Sequence, residues 1–339
     1  MFRFLGNLIS PRGEEGRLGV LYYHRTLPAP DPILNDEIDG VTFERHITFL
    51  ASEFNVIPLG EACARLANGS LPARALSITF DDGYASNEQI ALPILHRLKL
   101  SATFFIATGF LEGGVMFNDA VIETVRAAAS GMHDLSPFGL GMVELDGQAS
   151  RRAAADRLIA MLKYRAPAER AMLVEEIAET MRSFLPRNLM MTPAQIRALH
   201  RAGMEIGAHT VNHPILTSVG DEEARAEIRT SKRTLEDIIG APVTLFAYPN
   251  GKPGQDYAPQ HVRFVREAGF SAAVSTVHGI CHGSTDPFQL PRIGPWDSDP
   301  RRLAARLLYM CARKPAAVPL NRDRDDCERE RPFSGDGKS

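Results

Sequence analysis

Short β-rich runs alternate with longer segments of helical periodicity along most of this chain, and that alternation restricts the fold more than any single residue. The runs at 18–24 (LGVLYYH), 75–80 (ALSITF), 102–107 (ATFFIA), 204–208 (MEIGA), 243–248 (VTLFAY), 271–275 (SAAVS) and 288–293 (FQLPRI) read as strands, with 54–59 (FNVIPL) as a further extended piece. Between them, 42–52, 87–100, 193–203, 221–240 and 258–269 carry apolar residues at helical spacing. Pro193 opens the helix at 193–203 and Gly203 ends it, while Pro93 lies early enough in 87–100 to be tolerated or to kink it. Strand, helix, strand repeated this way predicts an α/β architecture with a parallel sheet, open or closed into a barrel.

The alternation lapses between about 112 and 192, where DAVIETVRAAAS, SRRAAADRLIAMLKYR and AERAMLVEEIAETMRSF read as successive helices inserted between two strands of the core. The segments therefore divide as an N-terminal stretch 1–17, a core 18–313 carrying that insertion, and a charged tail 314–339 whose composition predicts disorder. The opening apolar stretch is short and interrupted and has no small-residue cleavage site, so it is not read as a secretory signal; a weak interfacial helix is the alternative there. No segment approaches the ~18 apolar residues of a membrane span. Of 339 residues, 44% are hydrophobic and 23% charged, enough for a conventional core. The formal net charge of −3 gives no reason to expect nucleic acid as a partner. Cys63, Cys281, Cys311 and Cys327 form no C-x-x-C pair, which argues against a disulfide framework or thiolate zinc site and for reduced thiols in a cytoplasm. There is no internal repeat and no Gly-rich phosphate loop.

The reactive residues sit just past strand ends. His24 follows the first strand, Asp81-Asp82-Gly83-Tyr84 the second, His209 and His213 (in AHTVNHP) the strand at 204–208, and YPNG the strand at 243–248. In parallel α/β folds the loops at that edge converge into sites. Gly207 and Pro214 flank the two histidines, so a tight loop turning both imidazoles inward competes with a shared helix face. Neither H-x-x-x-H nor DDG is decisive alone, since Asp and Gly are ordinary turn residues. Together at corresponding strand ends they suit Zn²⁺ or another first-row divalent ion such as Co, Ni or Mn, with places left for water and substrate. A cation also explains why two carboxylates stand side by side. If Asp82 ligates it, the ion offsets their repulsion, and Asp81 can take a proton from a water whose pKa the ion lowers towards ~7.

At these residues the chain resembles the polysaccharide deacetylase family, the NodB-homology domain of carbohydrate esterase family 4. TFDDGY (Thr79–Tyr84) matches that family's first motif and HTVNH (His209–His213) its H-[ST]-x-x-H second motif, in the right order. The likeness covers roughly 18–110 and 193–295. It implies a distorted (β/α) barrel of about seven parallel strands and metal-dependent removal of acetyl groups from N-acetylated sugars, with Asp81 as base and Asp82, His209 and His213 as metal ligands. YYHR near the start and LPRI near the end are similar to deacetylases associated with bacterial exopolysaccharide or capsule assembly.

Two departures stand out. The family's third motif, R-x-P-[YF]-G, is replaced by Ala247-Tyr248-Pro249-Asn250-Gly251, so the arginine that would steady the base is missing. A backbone N–H serving as oxyanion donor there depends on chain path and not on the Asn250 side chain. Arg292, in LPRI, is the candidate to supply the guanidinium from another direction. The late histidine that acts as general acid is also missing, since no histidine follows His282. His24 is the leading substitute, with His278 and His282 behind it and Asp297 or a metal-bound water as further options; a histidine packed beside Tyr22 and Tyr23 is the bland alternative for His24. Tyr84, Tyr248, Asn250 and Trp296 are expected on the substrate side, Trp296 as a sugar-stacking surface or simply a rim residue. Asn118-Asp119 reads as a helix cap and the helices at 150–184 as packing or partner surface. The expected function is a metal-dependent deacetylase of an N-acetylated glycan or glycan precursor, cytoplasmic or peripheral to the inner membrane, with a polysaccharide-assembly partner. A deformylase or non-sugar amidase on the same fold, and a catalytically idle glycan-binding or scaffold domain, are the rivals.

Overall fold

The apolar runs pair into one parallel sheet because each is buried on both faces, one towards the barrel interior and one beneath helices. The computed structural model describes residues 2–183 and 185–313; the tail expected to be disordered lies outside them. In chain order the strands are β1 (Leu18–Tyr23), the two-residue β2 (Thr26–Leu27) and β3 (Ile38–Asp39), β4 (Asn55–Val56), β5 (Ala75–Phe80), β6 (Thr103–Ile106), β7 (Met132–Asp134), β8 (Met142–Glu144), β9 (Glu205–Ala208), β10 (Leu245–Ala247), β11 (Ala272–His278) and β12 (Leu290–Arg292). The main sheet runs β1-β5-β6-β9-β10-β11-β12 with all neighbours parallel, and β4 lies beside β5. Ile293, just past β12, pairs with Leu21 and exchanges backbone hydrogen bonds with Val20 and Tyr22 of β1. That contact brings the sheet back on itself as a nearly closed barrel of seven parallel strands.

The helices are α1 (Phe2–Ile9), α2 (Gly40–Glu53), α3 (Leu59–Ala67), α4 (Leu92–Arg97), α5 (Phe117–Ala127), α6 (Gln148–Leu162), α7 (Pro167–Thr180), α8 (Pro193–Arg201), α9 (Asp221–Ile239), α10 (Pro259–Glu267) and α11 (Pro300–Ala312). Their starts have local causes. Asp39 accepts from the Val41 and Thr42 N–H groups at the head of α2, and Thr192 and Gln195 cap α8 reciprocally. Pro93 is accommodated by a widened turn: residues 87–91 form a π-type segment in which the Leu92 N–H donates to the Asn87 carbonyl, and α4 starts there. All six residues of β5 are buried, and its two polar side chains are answered internally, Ser77 by the Ile57 carbonyl and Thr79 by the Leu21 carbonyl, each at 2.8 Å. Phe80 stacks on Phe104 with ring centroids 4.8 Å apart, and Tyr23 and Phe43 complete the aromatic cluster beneath the site.

The insertion between β6 and β9 packs α5, α6 and α7 around a core of its own, in which Val125, Leu135, Leu158, Leu162 and Ile177 are fully buried. It is not wholly helical. β7 and β8 form an antiparallel hairpin, Met132 opposite Glu144, that helical periodicity did not announce; its turn uses Gly139 and Gly141 at positive φ.

Register carries the reactive residues to one edge. Tyr23 pairs with Phe80 and Ile106 with Ala208, so His24, Asp81 and His209 all emerge at the same end of the barrel. Gly207 faces Phe105 in that register, and a Cβ there would run into the Phe105 ring. Gly207→Ala is expected to destabilise the fold by about 1–3 kcal/mol, read from the midpoint of chemical denaturation; an unchanged midpoint would show that the ring has room to move.

Candidate metal centre

Asp82 enters the site through a left-handed turn. Its φ is +74°, Gly83 follows at +91°, and in the second motif Thr210 and His213 adopt +63° and +51°. Such conformations cost a non-glycine residue roughly 1–2 kcal/mol each, so the surrounding contacts must hold them. The Thr210 hydroxyl accepts from the His213 N–H, and Glu227 accepts from the Val211 and Asn212 N–H groups, so the loop's backbone donors are answered from within the fold.

These turns bring Asp82, His209 and His213 together. The Nε2 atoms of His209 and His213 lie 3.4 and 3.5 Å from the same Asp82 oxygen and 3.1 Å from each other. A tetrahedral ion with bonds of about 2.0–2.2 Å holds neighbouring ligand atoms about 3.3 Å apart, so the three donors lie at separations that fit one such ion. The ring orientation agrees: the His209 Nδ1 sits 2.7 Å from the Ala247 carbonyl, which fixes its proton there and leaves the Nε2 lone pair facing the cluster. Burial, reinforced by His209, pulls the His213 pKa down to about 3, so its imidazole is neutral across the physiological range. Burial raises the Asp82 pKa, but the hydrogen bond and charges of the histidines outweigh it and hold the group well below the carboxylate range. Two imidazoles and one carboxylate make a donor set suited to a first-row divalent cation.

Asp81 faces a different partner. Arg292, fully buried on β12, donates from Nη1 and Nη2 to its two oxygens, each at 2.8 Å. The same guanidinium donates to the Ser275 carbonyl at 2.9 Å and the Thr79 hydroxyl at 3.2 Å, and lies over the Tyr22 ring. Burial raises the Asp81 pKa, yet Arg292, His209 and His24 together hold it below the ordinary value.

A cavity of about 540 Å³ contains Asp81, Asp82, His209 and His213, with His24, Tyr22 and Glu37 along one side. His24 meets Tyr22 edge-on at 5.8 Å. Desolvation lowers its pKa, but Asp82, Glu37 and Asp81 outweigh that and leave it raised. The other acid candidates fall elsewhere. His282 follows Cys281, which pairs with Leu18 at the far end of β1, so it lies at the opposite edge of the barrel. His278 is exposed and stacks on Trp296, while Asp297 pairs with Arg306 at 2.7 Å.

The four residues expected on the substrate side all border this cavity, with unequal freedom. Tyr84 presents its ring, but its hydroxyl donates to Asp119 at 2.8 Å. Tyr248 is fully buried and stacked on Tyr257, a wall more than a hydrogen-bonding group. Asn250 has φ +56°, and its backbone N–H meets no acceptor among the described residues. Trp296 is 65% exposed at the rim, leaning on Gly294 where a Cβ would collide with the indole. It also borders a second cavity of about 610 Å³, so the two form one groove.

Several residues here were not anticipated. Asp119 lies within the first turn of α5, whose flanking residue is Met116, so the capping role expected of Asn118-Asp119 does not apply. The carboxyl is buried and accepts from Tyr84 and from Arg25 at 3.3 Å. Glu37 accepts the Arg25 N–H. From the insertion, Phe117, Ile159 and Lys163 line the cavity, where the sequence suggests only packing or partner surface for the helices at 150–184. The YYHR motif held a hint, since an arginine beside a cleft histidine needs a carboxylate; the choice of Asp119 had no sequence signal.

The comparisons with known proteins follow this geometry. A family model described as polysaccharide deacetylase matches residues 68–137 and 146–273, more than half of the chain. The chain belongs to the polysaccharide deacetylase family. YxkH of Bacillus subtilis (strain 168), a protein named for the same family, is 19% identical over 282 residues, covering 83% of this chain and 72% of its own. Among solved structures, Streptococcus pyogenes deacetylase PplD in complex with acetate aligns with a TM-score of 0.58 at 18% identity, over 86% of this chain and 98% of its own. IcaB from Ammonifex degensii gives 0.58 and 18% over 88% and 98%, and the BpsB deacetylase domain from Bordetella bronchiseptica 0.50 and 17% over 83% and 97%. At these identities the likeness is one of fold, a barrel this family shares.

Two outcomes follow from the site's charges. Removing one partner of a buried ion pair leaves the other uncompensated, so Arg292→Ala should destabilise the protein by about 3–5 kcal/mol; a loss under about 1 kcal/mol in calorimetry would mean that solvent answers Asp81. Burial, with Asp82 and Glu37 nearby, lifts Asp119 to about 7 despite Arg25 and Tyr84. A raised folded pKa contributes stability below the unfolded value near 3.9 and loses it as pH climbs through about 7. In metal-free protein the Tm of wild type relative to Asp119→Asn should therefore fall between pH 4 and 8; a constant difference would contradict the assignment.

Proposed function

We propose that this chain is a metal-dependent deacetylase acting on the N-acetyl group of an N-acetylated glycan or glycan precursor, in exopolysaccharide or capsule synthesis. One observation carries the reading: a donor set of one carboxylate and two imidazoles lies beside a second carboxylate that a buried arginine holds ionised, inside a single cavity.

In this reading Asp82, His209 and His213 hold the ion. When bound, it polarises the amide carbonyl and makes water a better acid. Asp81 is the group placed to accept a proton from an attacking water. Its two oxygens are engaged by Arg292, but each keeps a further lone pair. Because its pKa is lowered, it is a weak base, suited to a water whose acidity a bound ion would have raised. Arg292 substitutes for the missing arginine of the third motif. The Asn250 N–H, unbonded among the described residues, is our candidate for binding the developing oxyanion. His24, with its raised pKa, donates a proton to the departing amine. Trp296 brings exposed indole surface to the mouth, beside His278, which stacks on it, and Arg306, which lies over its ring.

Zn is the first choice of metal, with Co, Ni and Mn behind it, on the donor chemistry alone. The free thiols of Cys63, Cys281 and Cys311 support a reducing, cytoplasmic setting. No helix among the described residues is long and apolar enough to cross a membrane. A peripheral hold on the inner membrane or on an assembly partner through α1 is supported by its exposed Phe4 and Leu8.

Acetate release from N-acetylated oligosaccharides tests the core of the proposal, with N-formyl analogues alongside. Asp81→Asn is expected to lower kcat by about 10²–10⁴ while equilibrium dialysis still finds one zinc per chain. Asp82→Ala should lose both zinc and activity. Zinc retained at full occupancy by Asp82→Ala would remove the ligand assignment, and formate as the sole product would replace the deacetylase with a deformylase.

A further inference from the structure

The insertion holds a buried cation that has no counter-ion among the described residues. Arg170, on the first turns of α7, is only 8% exposed. Its guanidinium lies 4.3 Å from the centre of the Phe117 ring, and it makes no hydrogen bond or ion pair with any described residue. A ring face attracts the charge but offers no acceptor to the guanidinium's five N–H donors. Burial therefore lowers the Arg170 pKa with nothing to offset it. Compare Arg292, fully buried, whose donors meet a carboxylate, a hydroxyl and a carbonyl.

Arg170 lines a cavity of about 440 Å³ with Phe110, Val115, Ala120 and Val174. The cavity also borders His213, Met116 and Phe117, which belong to the wall of the metal-site cavity, so the two spaces adjoin. Glu175 is the carboxylate of this lining; it is exposed and forms no ion pair with Arg170. The space is larger than a lone carboxylate or phosphate needs and falls in the range of ligand pockets. Its aromatic and aliphatic walls suit the C–H face of a sugar ring.

We infer that this cavity is a subsite for an anionic sugar unit, a carboxylate or phosphate borne on the same glycan whose acetamide lies at Asp82, with Arg170 as the counter-ion. Bidentate N–H donation to an oxyanion would answer the donors that the fold leaves open. The inference rests on the deacetylase reading only in taking the anion to be part of that substrate.

Isothermal titration of the full chain with fully N-acetylated chitotetraose and with its C6-carboxylated and C6-phosphorylated derivatives decides it. The anionic ligands should bind at least about tenfold more tightly than the neutral one, a modest share of what charge-assisted pairing can give. Arg170→Gln should erase that preference and leave the affinity for the neutral tetraose within about twofold, whereas Arg170→Lys, which keeps charge but not the fork, should retain part of it. The stronger of the two derivatives identifies the oxyanion. Equal affinities in wild type, or a preference that survives Arg170→Gln, would overturn the inference. Should the glutamine variant not fold, hydrogen exchange on wild type replaces it: the anionic ligand alone should slow exchange in α5 and α7, and protection confined elsewhere would be fatal. Acetate release is scored separately, so a preserved binding preference without turnover would defeat the hydrolase reading and leave the subsite standing.

Discussion

A guanidinium removed from water must have its donors answered, and the seam of this barrel is arranged to do so. Arg292 projects from β12, the last strand, and bonds to Ser275 of β11, to Thr79 of β5 and to Asp81 just beyond it, with Tyr22 of β1 against its face. Four strands thus meet at one side chain where the sheet closes. The same contacts fix the rotamer and charge of Asp81, so closure of the barrel and preparation of the candidate base depend on a single residue. A lysine there could supply charge but not the planar fork that reaches two carboxylate oxygens and two strands at once.

Local charge balance extends the argument. Asp81, Asp82, Glu37 and Asp119 stand around one cavity or directly behind it, and Arg25 and Arg292 are the guanidiniums that pair with them. Lys163 and Lys252 also line the cavity but form no ion pair with these acids among the described residues. Of the paired groups, four carboxylates face two guanidiniums, and the site eases that imbalance by keeping Asp119 partly protonated and His24 readily charged. An added divalent ion would relieve the same imbalance. This is a physical reason, independent of motif likeness, for expecting a cation at the histidine pair.

The barrel was legible because its signals are repetitive: buried strands, helices between them and reactive residues at one kind of position. Parallel strand direction alone is enough to assign His24, Asp81 and His209 to one edge from their places after strand ends, whereas strand order and register became visible only in the structure. Three-dimensional choices among equals were not legible. Nothing in the spacing separates His282, at the barrel's far end, from His24 at the near one. The hairpin at 132–144 is too short for alternation to show, and its glycines resemble those of any loop. Asp119 looks like a cap because helix starts favour acids for reasons unrelated to sites. The left-handed turns at Asp82, Thr210 and His213 also leave no trace, since none uses the glycine that would betray it.

The insertion's separate apolar centre has an evolutionary consequence. Its helices are stabilised by one another, through Val125, Leu158 and Ile177, and they meet the acids mainly through the start of α5 and the end of α6. Residues that do the chemistry and residues that frame its target therefore answer to different packing constraints. Drift within the lobe's own core need not disturb the acids, whereas the residues by which it reaches the cavity, Asp119 above all through Tyr84 and Arg25, are tied to them.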